Sequence, residues 1–379
     1  MWKVQLFKLN YDQREADAIR DVVESGWITM GEKTREFERD FEKFLGDDRR
    51  ATALSSATAS LHIALLSLGV GSGDEVIIPA LTFVADINVV RAVGATPKLA
   101  DCGDYNNWNV TAESIKREIT NRTKAVIIVH FAGYPCDMDE IVELCQERGV
   151  YLIEDVAHAV GATYRGESCG TFGEFGCFSF FTNKNLSVGE GGMLVTGKRE
   201  LERRAKLFRS HGMSALTLDR HKGRAVSYDV ELSGFNYRID DMRSALGVIQ
   251  LSKLKDANRA RESLVNRYIE NLKDVNGLSI PFQNLENITS SYHIFVILLD
   301  RYVDREEIML KLKEVGVQSS IHYPPFREFT AFKDIGLNPA PIAEDIAKRE
   351  LTLPLYPTLS VDEVDFVCEN LKNILGEIR

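Results

Sequence analysis

The chain has 379 residues, enough for two domains of about 100 to 200 residues each, and its 44% hydrophobic and 27% charged residues exclude the disordered and low-complexity classes. Acidic residues number 56 against 46 basic ones, and the net charge of −10 argues against a nucleic-acid-binding protein. No apolar run approaches the roughly 20 residues that span a bilayer, and the six scattered cysteines form no CxxC pair. We therefore expect a cytoplasmic protein with reduced thiols, no membrane segment and no metal site.

Two amphipathic helices are predicted first, over 12–26 and 33–46, because apolar residues recur every three or four positions and each pattern ends in Gly. From residue 50 onward, short β-branched runs such as EVIIPA, KAVIIVH and VYLIED alternate with helical patterns such as TASLHIALLSLG and MDEIVELCQERG. This alternation indicates βαβ units and a mostly parallel sheet.

The pattern changes near residue 240, where a long charged helix is predicted over 241–273 without a strand partner. After it, strands and helices mix in the manner of a small α+β domain. The sequence therefore predicts a large α/β domain over 1–250 and a small C-terminal α+β domain over 251–379.

One lysine lies in an unusual context. Lys184 stands in FSFFTNKNLSVGEGG, among apolar and aromatic residues and just before a glycine-rich turn. A desolvated lysine has a lowered pKa and can form a Schiff base with a carbonyl. The segment alone is equally compatible with a surface lysine in a loop.

A carboxylate follows a predicted strand. In VYLIEDVAHAVGA the strand ends in Asp155, and side chains at the carboxyl ends of parallel strands point into the crevice where α/β proteins bind ligands. Asp155 could there face a cationic nitrogen, or it could be an ordinary helix N-cap.

Two further segments follow predicted strands. In ALSSATASLHIALL, Ala57 and Thr58 begin a helix whose N-terminus favours an anion such as a phosphate, although Ser and Thr are also ordinary caps. In IIPALTFVADINVV, Phe83 lies after a strand end and offers a flat apolar face, unless it is a core aromatic. A lysine, a carboxylate, a phosphate site and a flat wall are together what pyridoxal 5'-phosphate (PLP) requires.

At this point the chain resembles the DegT/StrS-type PLP-dependent nucleotide-sugar aminotransferases. The resemblance runs from about residue 26 to residue 360 and is carried by SGWITMGEKTREFE, SSATASLHIAL, GDEVIIPALTFVA, IEDVAHAVGA, FSFFTNKNLSVGEGG, GFNYRIDDMRSALG and LTLPLYPTLS. It implies a fold-type I PLP transferase, in which helices sandwich a mostly parallel mixed sheet and a small α+β domain follows. It also implies a homodimer with shared active sites.

The resemblance implies roles for particular residues. Lys184 would hold PLP and act as acid and base, Asp155 would pair with the pyridine nitrogen, and His158 would contact or shield the ring hydroxyl. Phe83 would stack on the ring. The remaining implied contacts are Ala57, Thr58 and Ser179 with the phosphate, Asn236 with the phosphate of the neighbouring subunit, and Trp27, Thr29, His322 and Tyr323 with the substrate.

The chain departs from the family pattern in two places. Ser56-Ala57-Thr58 replaces the commoner Ser-Gly-Thr, and Asp86 stands where Thr is frequent. The loops around 213–235 and 322–335 are expected to shape the substrate pocket.

The implied reaction moves an amino group from L-glutamate to a nucleotide-linked keto sugar, a 4-keto-6-deoxyhexose, by a ping-pong mechanism. The same chemistry on a 3-keto sugar or a cyclitol ketone stays open. A different PLP reaction such as desulfuration lacks an identifiable persulfide loop, and a non-catalytic regulatory protein is disfavoured because both Lys184 and Asp155 are present.

Overall fold

A computed structural model describes residues 2–46, 48–214, 227–283 and 285–377. Its centre is a seven-stranded sheet in the order β1-β9-β8-β5-β4-β2-β3. The strands of this sheet are β1 (Arg50–Leu54), β2 (Glu75–Pro79), β3 (Thr96–Ala100), β4 (Thr123–Val129), β5 (Tyr151–Asp155), β8 (Phe175–Ser179) and β9 (Gly192–Thr196). The expected fold class, a mostly parallel mixed sheet between helices, is confirmed.

Parallel pairing joins β3, β2, β4, β5 and β8, whereas β9 runs antiparallel to both of its neighbours, β8 and β1. Strands β2, β8 and β9 are buried along their whole length, and apart from Glu75 at the start of β2 their sequences consist mainly of apolar and small residues. Because β1 is parallel to the other strands, the carboxyl ends of six strands meet at one edge of the sheet.

Helices cover both faces of this sheet. Those before the long helix are α1 (Gln13–Glu24), α2 (Glu32–Leu45), α3 (Ala57–Ser67), α4 (Val84–Ala92), α5 (Ala112–Glu118), α6 (Met138–Arg148) and α7 (Arg199–Arg209). Both N-terminal helices lie where the apolar spacing predicts them, and α1 begins with a capping box between Asp12 and Glu15.

The C-terminal part is built on a three-stranded antiparallel sheet in the order β10-β12-β13. Its elements are α8 (Asp241–Leu272), β10 (Leu278–Ser279), β12 (Phe295–Leu299), α9 (Arg305–Glu314), α10 (Pro341–Arg349), β13 (Glu350–Leu353) and α11 (Val361–Glu377). A third small sheet pairs β6 (Thr163–Tyr164) with β7 (Glu167–Ser168) and β11 (Ile288–Thr289).

The two ends of the long helix α8 pack in different hydrophobic cores. Leu246 and Leu254 pack with α2 and the central sheet, whereas Leu264 and Tyr268 pack in a separate core with β12 and α11. The second core also takes in Val4 from the N-terminus, which the prediction of a domain over 1–250 does not anticipate. The division near residue 250 stays a prediction, and it falls inside a continuous helix.

Among the described residues, no helix is both long and apolar enough to cross a membrane, and no group of three or more His, Cys, Asp or Glu side chains could hold a metal ion. All six cysteines are buried and unpaired.

Candidate active site

A cavity of about 430 Å³ opens at the carboxyl edge of the central sheet. Its walls include most of the residues that the sequence predicts for the site: Ala57, Thr58, Phe83, Asp155, His158, Ser179, Lys184, His322 and Tyr323. A second cavity of about 480 Å³ lies beside α2 and is lined mainly by Arg and Glu side chains. The first cavity is the candidate active site because it alone, of these two, contains the lysine and the aspartate.

Lys184 lies in the loop between β8 and β9, where its backbone N–H donates to Phe181 O at 2.9 Å. Burial of the amine lowers the pKa of Lys184 to about 8, although the nearby charge of Asp155 acts in the opposite direction. Its Nζ is 3.4 Å from His293 Nε2. A lysine with this pKa is partly unprotonated near neutral pH and can act as a nucleophile.

Asp155 is the last residue of β5 and is 5% exposed. Its Oδ1 accepts the backbone N–H of Ala157 at 2.8 Å, but residues 156–162 form turns and no helix begins there. The alternative interpretation of Asp155 as a helix N-cap is therefore wrong.

A second carboxyl, Asp86, lies beside Asp155 in the first turn of α4 and is fully buried. Thr82 Oγ1 donates to its Oδ2 at 2.6 Å, whereas its Oδ1 has no hydrogen-bond partner among the described residues. Burial, and then the charge of Asp155, raise the pKa of Asp86 well above its usual value. Burial also raises the pKa of Asp155, although the Ala157 N–H and the charge of Lys184 reduce this rise. The pKa of Asp86 is thus raised further than that of Asp155, so Asp155 is the more readily ionised of the two carboxyls.

The predicted phosphate turn lies where β1 passes into α3. Ser56 is the N-cap and its Oγ accepts the N–H of Ala59 at 3.1 Å, so the first-turn N–H groups of Ala57 and Thr58 lie at a positive helix terminus. Gly192 starts β9 directly beside this turn, where a Cβ would lie 2.4 Å from the carbonyl carbon of Ser56. Ser179, at the end of β8, lines the same cavity.

Aromatic and imidazole rings form the other wall. The Phe83 ring is half exposed and lies 5.6 Å from that of Tyr323. His158 Nδ1 accepts the backbone N–H of Ala132 at 3.3 Å, so Nε2 carries the hydrogen and donates to Tyr323 Oη at 2.9 Å. Burial lowers the pKa of His158 well below its usual value and that of His322 to about 3. Both rings are therefore neutral.

Three predicted site residues do not line this cavity in the single chain: Trp27, Thr29 and Asn236. Trp27 follows α1 and its indole N–H donates to Met30 O at 3.4 Å, while Thr29 is exposed. Asn236 is exposed and forms an isolated antiparallel bridge with Ser210. Residues 215–226 of the expected substrate loop lie outside the described residues.

His293, which is 2% exposed and contacts Lys184, is not among the residues predicted from the sequence. Asp86 is predicted only as a departure from the family pattern, without a place in the site. His293 precedes an apolar strand in YHIFVILL, so the pattern alone predicts a core position and carries no signal of contact with the lysine.

The comparisons agree on one group of enzymes. The model of the DegT/DnrJ/EryC1/StrS aminotransferase family matches residues 10–372. The spore coat polysaccharide biosynthesis protein SpsC of Bacillus subtilis is 38% identical over 371 residues, which are 96% of this chain and 95% of SpsC.

Solved structures give the same result. The aminotransferase TlmJ of Streptoalloteichus hindustanus is 34% identical and superposes with a TM-score of 0.91 over 100% of both chains. Helicobacter pylori PseC, an aminotransferase involved in the biosynthesis of pseudoaminic acid, is 26% identical and superposes with a TM-score of 0.92 over 99% of both chains.

Proposed function

Because the chain belongs to the DegT/DnrJ/EryC1/StrS aminotransferase family of PLP-dependent sugar aminotransferases, we propose that it transfers the amino group of L-glutamate to a nucleotide-linked keto sugar. The observation that carries the proposal is the placement of Lys184, with its lowered pKa, in one cavity with Asp155. We further propose that the keto sugar is a 4-keto-6-deoxyhexose and that the two half-reactions alternate in a ping-pong sequence.

The residues of the cavity fit PLP. Its volume of about 430 Å³ is typical of small-molecule sites. It offers an amine for the aldehyde, a carboxylate for the ring nitrogen, a helix N-terminus for the phosphate, and flat rings for the faces of the pyridine. When bound, PLP supplies a ring that withdraws electrons from the carbon next to the transferred nitrogen.

Lys184 and Asp155 have the central roles in this proposal. Lys184 Nζ would hold PLP through its aldehyde and, when free, is placed to take up and release the transferred proton. Asp155 is the more readily ionised of the two neighbouring carboxyls, and its negative charge would hold the pyridine nitrogen of PLP protonated.

The other cavity residues bind and orient. Ala57, Thr58 and Ser179 would bind the phosphate of PLP, Phe83 would stack on its ring, and His158 would contact or shield its ring hydroxyl. His322 and Tyr323 border the sugar. Since His158 donates to Tyr323 Oη, the hydroxyl hydrogen of Tyr323 remains available to a substrate oxygen.

Shared active sites in a homodimer are part of the proposal. Asn236 is exposed and lies outside the cavity of its own chain, as a residue that reaches a neighbouring subunit must. Trp27 and Thr29 lie outside that cavity too, and we assign them to the substrate site that forms when two chains associate.

A mixed dimer tests this arrangement. Lys184→Ala and Asn236→Asp homodimers should both be inactive or nearly so, the second because its charge repels the phosphate. When subunits are exchanged, half of the dimers are mixed and one site in each is free of both changes, so about a quarter of all sites should recover. Confirmed exchange without recovered activity would show that Asn236 serves its own subunit.

The sugar substrate is supported by the relatives. SpsC is named for polysaccharide biosynthesis and PseC for the biosynthesis of pseudoaminic acid. The GWIT block and the SSATA turn favour amination at C4, and amination of a 3-keto sugar or a cyclitol ketone is the alternative.

The unpaired state of all six cysteines supports a cytoplasmic location.

The test uses purified protein, L-glutamate and a panel of nucleotide-linked 4-keto and 3-keto sugars together with a cyclitol ketone. An amino product should form from a 4-keto sugar, with the mass change of one C=O converted to CH–NH2, and not with Lys184→Ala. With glutamate alone, one 2-oxoglutarate should form per site, as a ping-pong sequence requires. Amination of only a 3-keto sugar or a cyclitol ketone would establish the alternative.

The cofactor assignment has its own control. Borohydride treatment of the loaded protein should leave a reduced PLP adduct on the peptide that contains Lys184. An adduct on any other lysine would refute the role of Lys184.

A further inference from the structure

A chain of hydrogen bonds leads from Lys184 into the protein interior. Lys184 Nζ lies 3.4 Å from His293 Nε2, and His293 Nδ1 lies 3.0 Å from Asn185 Oδ1. The amide nitrogen of Asn185 donates to Ser291 O at 2.7 Å and to Asn258 Oδ1 at 2.8 Å. The chain thus connects the lysine loop to α8 and to the segment before β12.

Two backbone carbonyl groups fix the direction of the hydrogen bonds between His293, Asn185 and Asn258. Ser291 O can only accept, so the NH2 group of Asn185 lies there and its Oδ1 faces His293. Because an amide oxygen also only accepts, His293 Nδ1 carries the ring hydrogen. The Asn258 amide is fixed in the same way, since its nitrogen donates to Val160 O at 3.0 Å.

The other nitrogen of His293 therefore presents a lone pair to Lys184. A neutral imidazole has one N–H, and His293 donates it from Nδ1 to Asn185 Oδ1. Burial, followed by the charge of Lys184, lowers the pKa of His293 well below its usual value, so the ring stays neutral. Nε2 consequently accepts from Lys184 and is a poor place to store a proton.

We propose that His293 is a positioning residue for Lys184, whose Nε2 accepts one N–H of the lysine amine and so turns the remaining Nζ valences toward the cavity. The proposal rests on the acid–base role proposed above for Lys184. An amine that donates one N–H to His293 keeps its lone pair free for a substrate proton, and the resulting ammonium group keeps the same bond. The transferred proton stays on Nζ because His293 does not take it.

The neighbouring histidine, His158, holds its ring hydrogen on the other nitrogen. The centroid of the His158 ring lies 4.5 Å from that of the His293 ring, yet the His158 hydrogen is on Nε2 and points to Tyr323. The two adjacent rings therefore hold opposite tautomers, one donating to a tyrosine and the other accepting from the lysine. A histidine that only filled the core would not need its free lone pair aimed at the lysine amine.

The first experiment measures the imidazole ¹⁵N resonances of His293 in PLP-free protein, without any reaction. Nδ1 should show an attached hydrogen and Nε2 a hydrogen-bonded lone pair. In Lys184→Met the Nε2 resonance should move to the position of an unbonded lone pair while Nδ1 stays unchanged. A hydrogen on Nε2, or an Nε2 resonance that Lys184→Met does not move, would overturn the proposal.

The second experiment follows a single half-reaction of the PLP-loaded protein with L-glutamate carrying hydrogen or deuterium at Cα. In His293→Leu the proton transfer should slow by about 10- to 100-fold, because an amine displaced by about 1 Å loses that much rate. The deuterium isotope effect should rise, while the KM for glutamate changes little. His293→Gln, which can again offer an acceptor oxygen, should recover part of the rate.

The matched control is His130→Gln. His130 is also fully buried, but its Nε2 faces Glu154 at 3.1 Å instead of the lysine. The His130→Gln variant should leave the isotope effect unchanged even if its stability falls.

Should wild-type protein fail to react with glutamate, the proposed donor is wrong, and the ¹⁵N result still decides the role of His293. If wild type reacts and His293→Leu matches it in rate and isotope effect, the positioning role is refuted.

Discussion

Replacing Asp155 by Asn should change two properties of the site in opposite directions. The pKa of Lys184 is about 8 because burial lowers it while the charge of Asp155 raises it. Removing a nearby opposite charge shifts a pKa by about 1 unit or more, so the pKa of Lys184 in Asp155→Asn should fall to about 7. At pH 7 the unprotonated fraction of the amine then rises from about 9% to about 50%, a gain of about five-fold.

The same substitution should weaken catalysis. The asparagine would have nearly the volume of the aspartate but no charge with which to hold the pyridine nitrogen of PLP protonated. Turnover should fall by about 100-fold or more, the loss expected when one preorganised electrostatic group is removed. A more reactive lysine in a less active enzyme is the signature of an aspartate that faces both groups.

The assay strips PLP from the protein and exposes it briefly to an amine-labelling reagent across a pH series. Labelling of the Lys184 peptide is quantified by mass spectrometry, and turnover is measured on the reloaded protein. Asp137→Asn is the control, because that carboxylate accepts from Tyr164 Oη and lies outside the cavity. Unchanged or slower labelling together with near-normal turnover would show that Asp155 does not act on Lys184 or on PLP.

Three further predictions concern residues packed around the site. Gly192→Ala places a Cβ 2.4 Å from the carbonyl carbon of Ser56, so it should cost about 1–3 kcal/mol of unfolding free energy and weaken PLP binding; an unchanged melting temperature and PLP affinity would contradict this. Gly133→Ala places a Cβ 2.4 Å from Ser291 Oγ at a backbone φ of +95°, and should admit water and raise the pKa of Lys184 above about 8, which the same labelling series measures. Asp86→Asn replaces a titratable side chain by a neutral one. Because folding raises the pKa of Asp86, the wild-type protein loses stability as the pH rises above the pKa of the unfolded state, near 3.8. The stability gained by Asp86→Asn, measured by urea unfolding, should therefore be larger at about pH 8 than at about pH 5, and no pH dependence would mean that Asp86 does not titrate with folding.

The sequence predicts those parts of the site that follow strand ends. Asp155 ends β5, the Ser56 turn follows β1 and Phe83 follows β2, so the alternation of strands and helices already brings them to one edge of the sheet. For these residues the local sequence pattern is sufficient, because a parallel sheet brings the carboxyl ends of its strands together at one edge.

Contacts between distant segments could not be predicted in this way. His293 meets Lys184 across 109 residues, through a segment that the pattern marks only as the approach to an apolar strand. The sequence pattern of Asp86 is that of an ordinary first-turn acid of a helix, a position that favours negative charge, yet complete burial beside Asp155 raises its pKa well above the usual value.

The antiparallel direction of strand β9 could not be predicted from the sequence either. Its sequence GMLVT is apolar enough for a buried strand, but nothing in such a run states its direction. That direction matters for the site, because β9 returns beside β1 and brings Gly192 against the Ser56 turn.

The placement of His293 also explains why the C-terminal part belongs to the active site. Ser290 Oγ donates to Gly133 O at 2.8 Å, Ser291 Oγ donates to His158 O at 2.7 Å, and the His293 N–H donates to Ala132 O at 2.9 Å. These bonds fasten the segment before β12 to the carboxyl edge of the central sheet. The same segment carries His293, whose Nε2 lies 3.4 Å from Lys184 Nζ, so docking of the C-terminal part brings the proposed positioning residue to the lysine. The proposed orientation of the amine therefore needs both parts of the chain, because Lys184 lies between β8 and β9 and His293 directly before β12.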